Sequence, residues 1–571
     1  MKRNIIKWAA ISLAAIVLFS CKSLDKMKDE ASKIRYNVNP SVLEMHGGKV
    51  NATISIDFPA KYFNKNAVLV LTPVLKYEGG ELALTPVTLQ GEKVQANNQV
   101  IKYETGGNIT QNISFDYKDE MRLSQLVVRG EVTIKKKVIP FGIDYKIADG
   151  IKTTPLLVNV DPKTLMLPDK FVRTVPVSKE ADINYVINKY DIRKTELTQQ
   201  DIVDLKNFIN TLINDSTLKL DKVKLSSYAS PDGPIDLNDK LSKNRGKSAQ
   251  DFLSKEFKKN ANILKNVLEA ITTAEDWDGF KKLMEESSIK DKELILRVLS
   301  MYSDPVVREK EIKNISKAYL EIADQVLPKL RRSMIAVNAS KSGYTDEQLK
   351  TLAVSNPDSL NLEELLYAAT LINDPSQKLN IYNAAANKYP QCHRAKNNAG
   401  VVDMLLGQSD KALALFNEAN ALKANLAVIV NNMGAANLAL GNFAAAQELL
   451  LKATEAGDAP NYNLGIIAIK DGKYDAAVNY LAKSNSFNQA LAMLLAGNDN
   501  AALKTLDGIE NADAKVYYLK AVIGARRNDG NLTYDNLKLA VAKNPSLKAY
   551  ALKDIEFGKL FEDETFKSIV K

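Results

Sequence analysis

The sequence predicts a multi-domain chain: an N-terminal all-β sandwich, a central α+β domain with a helical insertion, and a C-terminal all-α solenoid. Three observations predict it. Hydrophobicity alternates with period two from about residue 36 to 160. Strand and helix patterns then alternate to about residue 340. A glycine-led motif recurs over about the last 210 residues. A chain of 571 residues is long enough for three or four domains. Its composition, 45% apolar and 25% charged, is that of globular protein.

Composition also excludes functions. The formal charge is +9, but no basic stripe is interleaved with aromatics, so no nucleic-acid partner is expected. His46 and His393 stand far apart in sequence, which leaves no His-based triad and no multi-His metal site. Cys21 and Cys392 make no disulfide framework. Cys392 adjoins His393, but two ligands do not make a metal site. Among 68 acidic residues no pair stands out as an acid/base couple. The chain is therefore expected not to be an enzyme, and no catalytic residue, metal or cofactor is assigned.

The first segment, "MKRNIIKWAAISLAAIVLFSCKS", has a basic start and an apolar run from Trp8 to Phe19. That run is shorter than the roughly 20 residues of a membrane span, and it fits a secretory signal over 1–20. Leu18 and Ser20 before Cys21 resemble the bacterial lipoprotein box, with Phe19 bulkier than usual there. The resemblance implies that Cys21 is acylated and becomes the N-terminus, so that its lipid holds the protein in the outer membrane. Residues 21–35 read as a tether. Some Bacteroidetes lipoproteins carry acidic residues just after the cysteine as a surface-export signal. Lys22 and Ser23 stand there instead, which favours the periplasmic face and leaves surface exposure open.

The β region is assigned to 36–160. Val50, Ala52, Ile54, Ile56 and Phe58 alternate with polar neighbours, as do Ile113, Phe115 and Tyr117. Apolar runs at Val68–Leu71 and Leu126–Val128 lie between the turn signals "EGGE" and "ETGGN", and "FGIDY" and "TTPLLV" read as closing strands. Short strands at this spacing suggest a sandwich. No site gathers here.

From 175 to 340 the order is strand, helix, strand, helix, a helical excursion and a strand. "ADINYVINKYDIRKTEL" opens it, with Ile183, Tyr185 and Ile187 in alternation. Ile202, Leu205, Phe208, Ile209 and Leu212 mark a helix. The strand "DKVKLSSYAS" runs into the loop "PDGP" and a helix from Ile235 to Phe257, whose core side is Leu237, Leu241, Ala249, Phe252 and Leu253. "LRRSMIAV" closes the domain. These pieces, above all "LNDKLSKNRGKSAQDFL", resemble the OmpA-like domain, a periplasmic module that holds outer-membrane proteins to peptidoglycan. Asn238, Leu241, Ser242, Arg245 and Ser248 fit its helix pattern. The resemblance implies that Arg245 meets a stem-peptide carboxylate, which suits a guanidinium fork. The aspartate that the family pairs with it falls on Ser230, and Asp232 is a substitute two residues on. The ligand set is thus Arg245, Asn238, Ser230 and Asp232. The plain alternative is that Arg245 pairs with a nearby acid and only holds the corner. An insertion of about 70 residues, about 258–328, is helical in pattern where the family has a short segment with a strand.

Residues 341–571 read as helical repeats. "GQSDKALALF", "GNFAAAQELL", "GKYDAAVNYL" and "GNDNAALKTL" begin at Gly407, Gly441, Gly472 and Gly497, at spacings of 34, 31 and 25. Ala412, Ala446, Ala477 and Ala502 recur five places on, and Phe416, Leu450, Leu481 and Leu506 four further. "NNAG", "NNMG" and "YNLG" precede them. A degenerate repeat is expected at 361–388, with Asn361 and Glu364 at capping-box spacing. The pattern resembles the tetratricopeptide repeat. That resemblance implies a concave face for a partner protein or peptide, with Asn398, Asn432 and Asn463 turned into it. The asparagines are also simply consensus for the repeat.

The whole implies a lipid-anchored envelope scaffold that attaches an outer-membrane assembly to peptidoglycan and recruits a protein on its repeats. The alternative is a pure interaction scaffold whose OmpA-like domain has lost its ligand.

Overall fold

The computed structural model describes residues 27–135, 137–140 and 144–571. The expected signal segment and Cys21 lie outside the described residues. Residues up to Pro168 together with Asn373–Lys571 form one compact body, and Asp169–Ile372 form a second. No helix among the described residues is long and apolar enough to cross a membrane.

The first body begins with β1 (Arg35–Asn39), β2 (Val42–His46), β3 (Lys49–Phe58), β4 (Val68–Tyr77), β5 (Gly80–Ala83), β6 (Val87–Gly91), β7 (Gln99–Ile101), β8 (Gly107–Asp116), β9 (Ser124–Ile134), β10 (Lys137–Pro140) and β11 (Tyr145–Lys152). The period-two residues of β3, Val50 to Phe58, are all buried, as are Ile113 and Phe115 of β8. They share one core with Leu69 and Leu71 of β4 and Leu126 and Val128 of β9.

Two separate facing sheets are not what forms. Among the described residues the strands make one eleven-stranded sheet, in the order β1-β3-β2-β11-β9-β4-β6-β7 with β8, β10 and β5 alongside. The joint is β2. It pairs antiparallel with β3 and parallel with β11, so it bridges edges that a sandwich leaves apart. "TTPLLV" is not a strand either. Thr154–Leu157 is a short 3-10 helix, and the chain then leaves the sheet as an extended strap.

The helical array of this body starts at Pro375–Lys388 and continues in pairs: His393–Leu405 with Ser409–Leu422, Ala427–Ala439 with Phe443–Lys452, Ala459–Lys470 with Tyr474–Tyr480, Phe487–Leu495 with Asp499–Asp507, and Ala514–Arg527 with Gly530–Lys543. Glycine explains how closely the paired helices approach. A Cβ on Gly400 would lie 2.7 Å from Phe416, one on Gly434 2.7 Å from Leu450, and one on Gly465 2.4 Å from Leu481. The recurring glycines and the recurring bulky residues are thus the two halves of one contact, repeated. Shortening from repeat to repeat falls on the second helix, which drops from 14 residues to 10 and then to 7.

Array and sheet are expected as separate domains, yet they share one body. Thr154 hydrogen-bonds Glu556, the Tyr474 hydroxyl donates to the Met45 carbonyl at 3.4 Å, and Arg122 lies 4.3 Å from the Tyr550 ring centroid. Gly472 packs so tightly on the β2–β3 turn that an added Cβ would meet Gly47 N at 3.0 Å.

The second body holds β12 (Thr174–Asn184), β13 (Leu218–Tyr228), β14 (Leu268–Thr273) and β15 (Arg332–Ser342), in the order β12-β15-β13-β14. All pairs are antiparallel except β13 with β14. The helices Gln200–Asn214 and Ile235–Phe257 bury Ile202, Leu205, Ile209, Ala249, Phe252 and Leu253 against Ile183, Val223, Leu225 and Ile335. Ile187 and Leu237, assigned to the core by periodicity, are exposed. The sequence reads about 258–328 as an insertion helical in pattern, but β14 lies within it. Its six residues sit at the sheet edge and none of them is buried, four being exposed and two half-buried, which removes the alternation that marks a strand. Being parallel to β13, it needs the crossover that Ile235–Phe257 supplies. The rest of the excursion, five helices between Trp277 and Leu330, builds its own core around Phe280, Met284, Ile295 and Leu299. The capping box at Asn361 forms, but its helix, Leu362–Thr370, belongs to this second body.

Candidate functional site

The face of the array that carries the asparagines is already occupied by its own chain. Asn159 to Leu167 run along it as the strap, in the direction opposite to the order of the repeats. Four asparagines each grip one strap residue by both main-chain groups. Asn398 Oδ1 accepts from Leu167 N at 2.8 Å while its Nδ2 donates to Leu167 O at 2.9 Å. Asn432 does the same to Leu165 at 2.8 and 2.7 Å, and Asn463 to Lys163 at 2.7 and 3.0 Å. Asn488 grips Asn159 at 2.8 and 2.9 Å. A carboxamide offers one acceptor and one donor group in a plane, which matches the N–H and C=O of a single extended residue.

The doublets extend the grip into a ladder. Asn397 adds a donor to Leu165 O at 3.1 Å, and Asn431 adds one to Lys163 O at 3.0 Å. Asn432 then bonds Asn397 at 2.9 Å, and Asn463 bonds Asn431 at 3.2 Å, tying successive repeats together. In "YNLG" a tyrosine replaces the first asparagine. Its hydroxyl, on Tyr462, donates to Asp161 at 2.7 Å, so position 161 is held by its side chain. The sequence assigns Asn398, Asn432 and Asn463 to a partner. The correction is that their carboxamides hold the chain's own backbone. Asn397, Asn431 and Asn488 were missed; the doubled asparagines and "FNQA" at the fourth repeat were the available signal.

The second candidate site is the corner after β13. Arg245 is 1% exposed. Its Nε donates to Lys189 O at 3.1 Å and its Nη1 to Tyr228 O at 2.9 Å, and it lies 5.2 Å from the Tyr185 ring centroid. No carboxylate bonds it, and burial pushes its pKa down to about 10. Asn238, also buried, donates to Gly233 O at 3.0 Å across the loop, and Ser242 bonds back to Asp239 O. Ser230 donates to Asp232 Oδ1 at 2.5 Å. Arg331 closes the arrangement, its Nε on Ser230 Oγ at 3.1 Å and its Nη2 on Asp232 Oδ2 at 3.0 Å. The four assigned residues do gather at one corner. Yet Arg245 faces carbonyls instead of solvent, and Asp232 is matched by an arginine of the same chain. Arg331 was missed because "LRRSMIAV" reads simply as a strand.

No family model matches the chain, and no curated protein matches it. Solved structures similar to it are tetratricopeptide repeat proteins. One, from Parabacteroides merdae, is 15% identical and covers 46% of this chain and 96% of its own, with a TM-score of 0.29. YrrB, described as a TPR protein with an unusual peptide-binding site, is 19% identical over 30% of this chain and 98% of its own, with a TM-score of 0.25. PilW, a type IV pilus biogenesis factor, is 19% identical over 39% and 99%, with a TM-score of 0.29. Such scores carry no weight for function. The repeat character of the array rests on its helix pairs and on their repeated glycine contacts.

Proposed function

We propose that this chain is a protein-interaction scaffold of the bacterial envelope, held in the outer membrane by lipid on Cys21 and without catalytic activity. The array carries the reading. It recognises an extended chain through main-chain hydrogen bonds, which is the chemistry of an interaction module. The resemblance of the second body to an OmpA-like domain, with its helix pattern through Asn238 and Arg245, supports the envelope. Its corner favours the form of this reading that does not bind the wall, because Arg245 is buried and Asp232 is paired with Arg331. Attachment to peptidoglycan is the second reading, and it rests on that same helix pattern.

Co-sedimentation of the chain lacking residues 1–21 with purified sacculi separates the two. The expected result is that the protein stays in solution. Pelleting of the wild type that folded Arg245→Ala loses would overturn the closed-corner reading and establish wall attachment.

A further inference from the structure

Beside the strap, at the short third repeat, the array has a hole. The second helix of that repeat, Tyr474–Tyr480, has half the length of its counterpart Ser409–Leu422. At the end of that helix, lined by Asn479, Tyr480 and residues of the segment that follows to Phe487, there is an open cavity of about 610 Å³, within the usual range of ligand pockets. Tyr462, Tyr480 and Phe487 supply aromatic walls and Ala482 stands at its edge. Lys163 pairs with Asp161 at 3.2 Å and Lys483 with Asp458 at 3.3 Å, so the charges around it are matched within the protein. An apolar, uncharged group suits such a site better than an ion does.

The strap supplies the other wall, and one of its residues is unlike its neighbours. Lys163 and Leu165 give their main-chain groups to the ladder. In an extended chain the groups of the residue between them point the opposite way. That residue is Thr164. It borders the cavity, and its N–H and C=O have no hydrogen-bond partner among the described residues. Pro162, the next residue on that edge, has no N–H, so a long added strand is disfavoured while a single-residue pairing is not.

We infer that this cavity is a docking site for a short extended segment of a partner protein. One main-chain residue of the segment pairs with Thr164, and a neighbouring aromatic side chain fills the space between Tyr462, Tyr480 and Phe487. The inference deepens the scaffold reading and rests on it. It moves partner recognition from the asparagines, which the strap saturates, to a pocket that the strap helps to build. An aromatic anchor seated between aromatic walls is the kind of contact that dominates binding energy.

The test is selection of linear 12-residue peptides from a random phage-displayed library on the chain lacking residues 1–21. Peptides sharing one Trp, Phe or Tyr position are expected, and Ala482→Trp, which fills the cavity from its edge, should weaken them at least tenfold. Hydrogen exchange of residues 159–167 reports that the strap stays in place in that variant. Selected peptides that bind Ala482→Trp as well as the wild type would overturn the pocket and leave the scaffold reading standing. Failure to select any aromatic-anchored peptide would overturn the pocket as well. A second variant, Tyr480→Ala, removes a wall without filling space and should also weaken the peptides.

Discussion

The ladder and the corner both carry residues that point, in sequence, to an outside ligand, and both are satisfied from within. They differ in how. The ladder is neutral: its carboxamides bond main chain, repeat after repeat, and the identity of the strap residue hardly enters. The corner is charged, and each of its groups has a particular partner, Arg331 for Asp232 and two carbonyls for Arg245. A neutral main-chain site accepts any extended segment that can reach it. A buried charged corner accepts only what completes it. The ladder therefore holds its own strap without regard to side chains, whereas the corner is closed by particular pairs.

Four measurements put that contrast to the test. The largest effect is expected from Arg245→Ala. It removes two charge-assisted hydrogen bonds, to the carbonyls of Lys189 and Tyr228, and empties the buried space that the side chain fills, which costs roughly 3 kcal/mol. Denaturant unfolding followed by hydrogen exchange in β13 checks it, and an unchanged second body would show that the corner is not closed.

The next effect depends on pH and lies in the first body, away from the ladder. Burial raises the Asp554 carboxyl to about 6, with Tyr518 donating to it at 2.7 Å. A raised carboxyl contributes stability that is fully present below its unfolded value near 4 and is lost as pH rises through 6. Asp554→Asn should therefore gain on the wild type between pH 4 and 7, by up to roughly 3 kcal/mol. Unfolding midpoints across that range read it. Strap protection should not follow the same curve, because the carboxamides of the ladder do not titrate.

Asn432→Ala comes third, at about 2 kcal/mol, since it strips Leu165 of two bonds and Asn397 of one. Faster exchange should spread from Leu165 along the strap. Exchange confined to one amide would mean that the rungs act singly. The smallest effect is expected from Gly434→Ala, about 1–2 kcal/mol, because its Cβ would sit 2.7 Å from Leu450 and push the paired helices apart. A loss of strap protection in that variant would show that helix spacing sets the ladder.

Local pattern made much of the molecule legible. Period two marked the buried face of β3, and the glycine and bulky positions marked the helix contacts at Gly400, Gly434 and Gly465. The capping box at Asn361 was legible because its two residues are three apart. β14 was not, because a short edge strand has no buried face to alternate. Arg331 was not, because its partner Asp232 is 99 residues away in the chain.

The residue pattern thus laid out the buried faces of the long strands and the paired helices of the repeats, and the resemblance to a known repeat put asparagines on their inner side. Periodicity and close packing act between near neighbours, and those are written locally. What the asparagines hold and what the corner faces depend on contacts between distant parts of the chain. Leu165 and Asn432 are 267 residues apart, and a carboxamide bonds any backbone alike. The occupant is the segment that follows β11 and the short helix Thr154–Leu157.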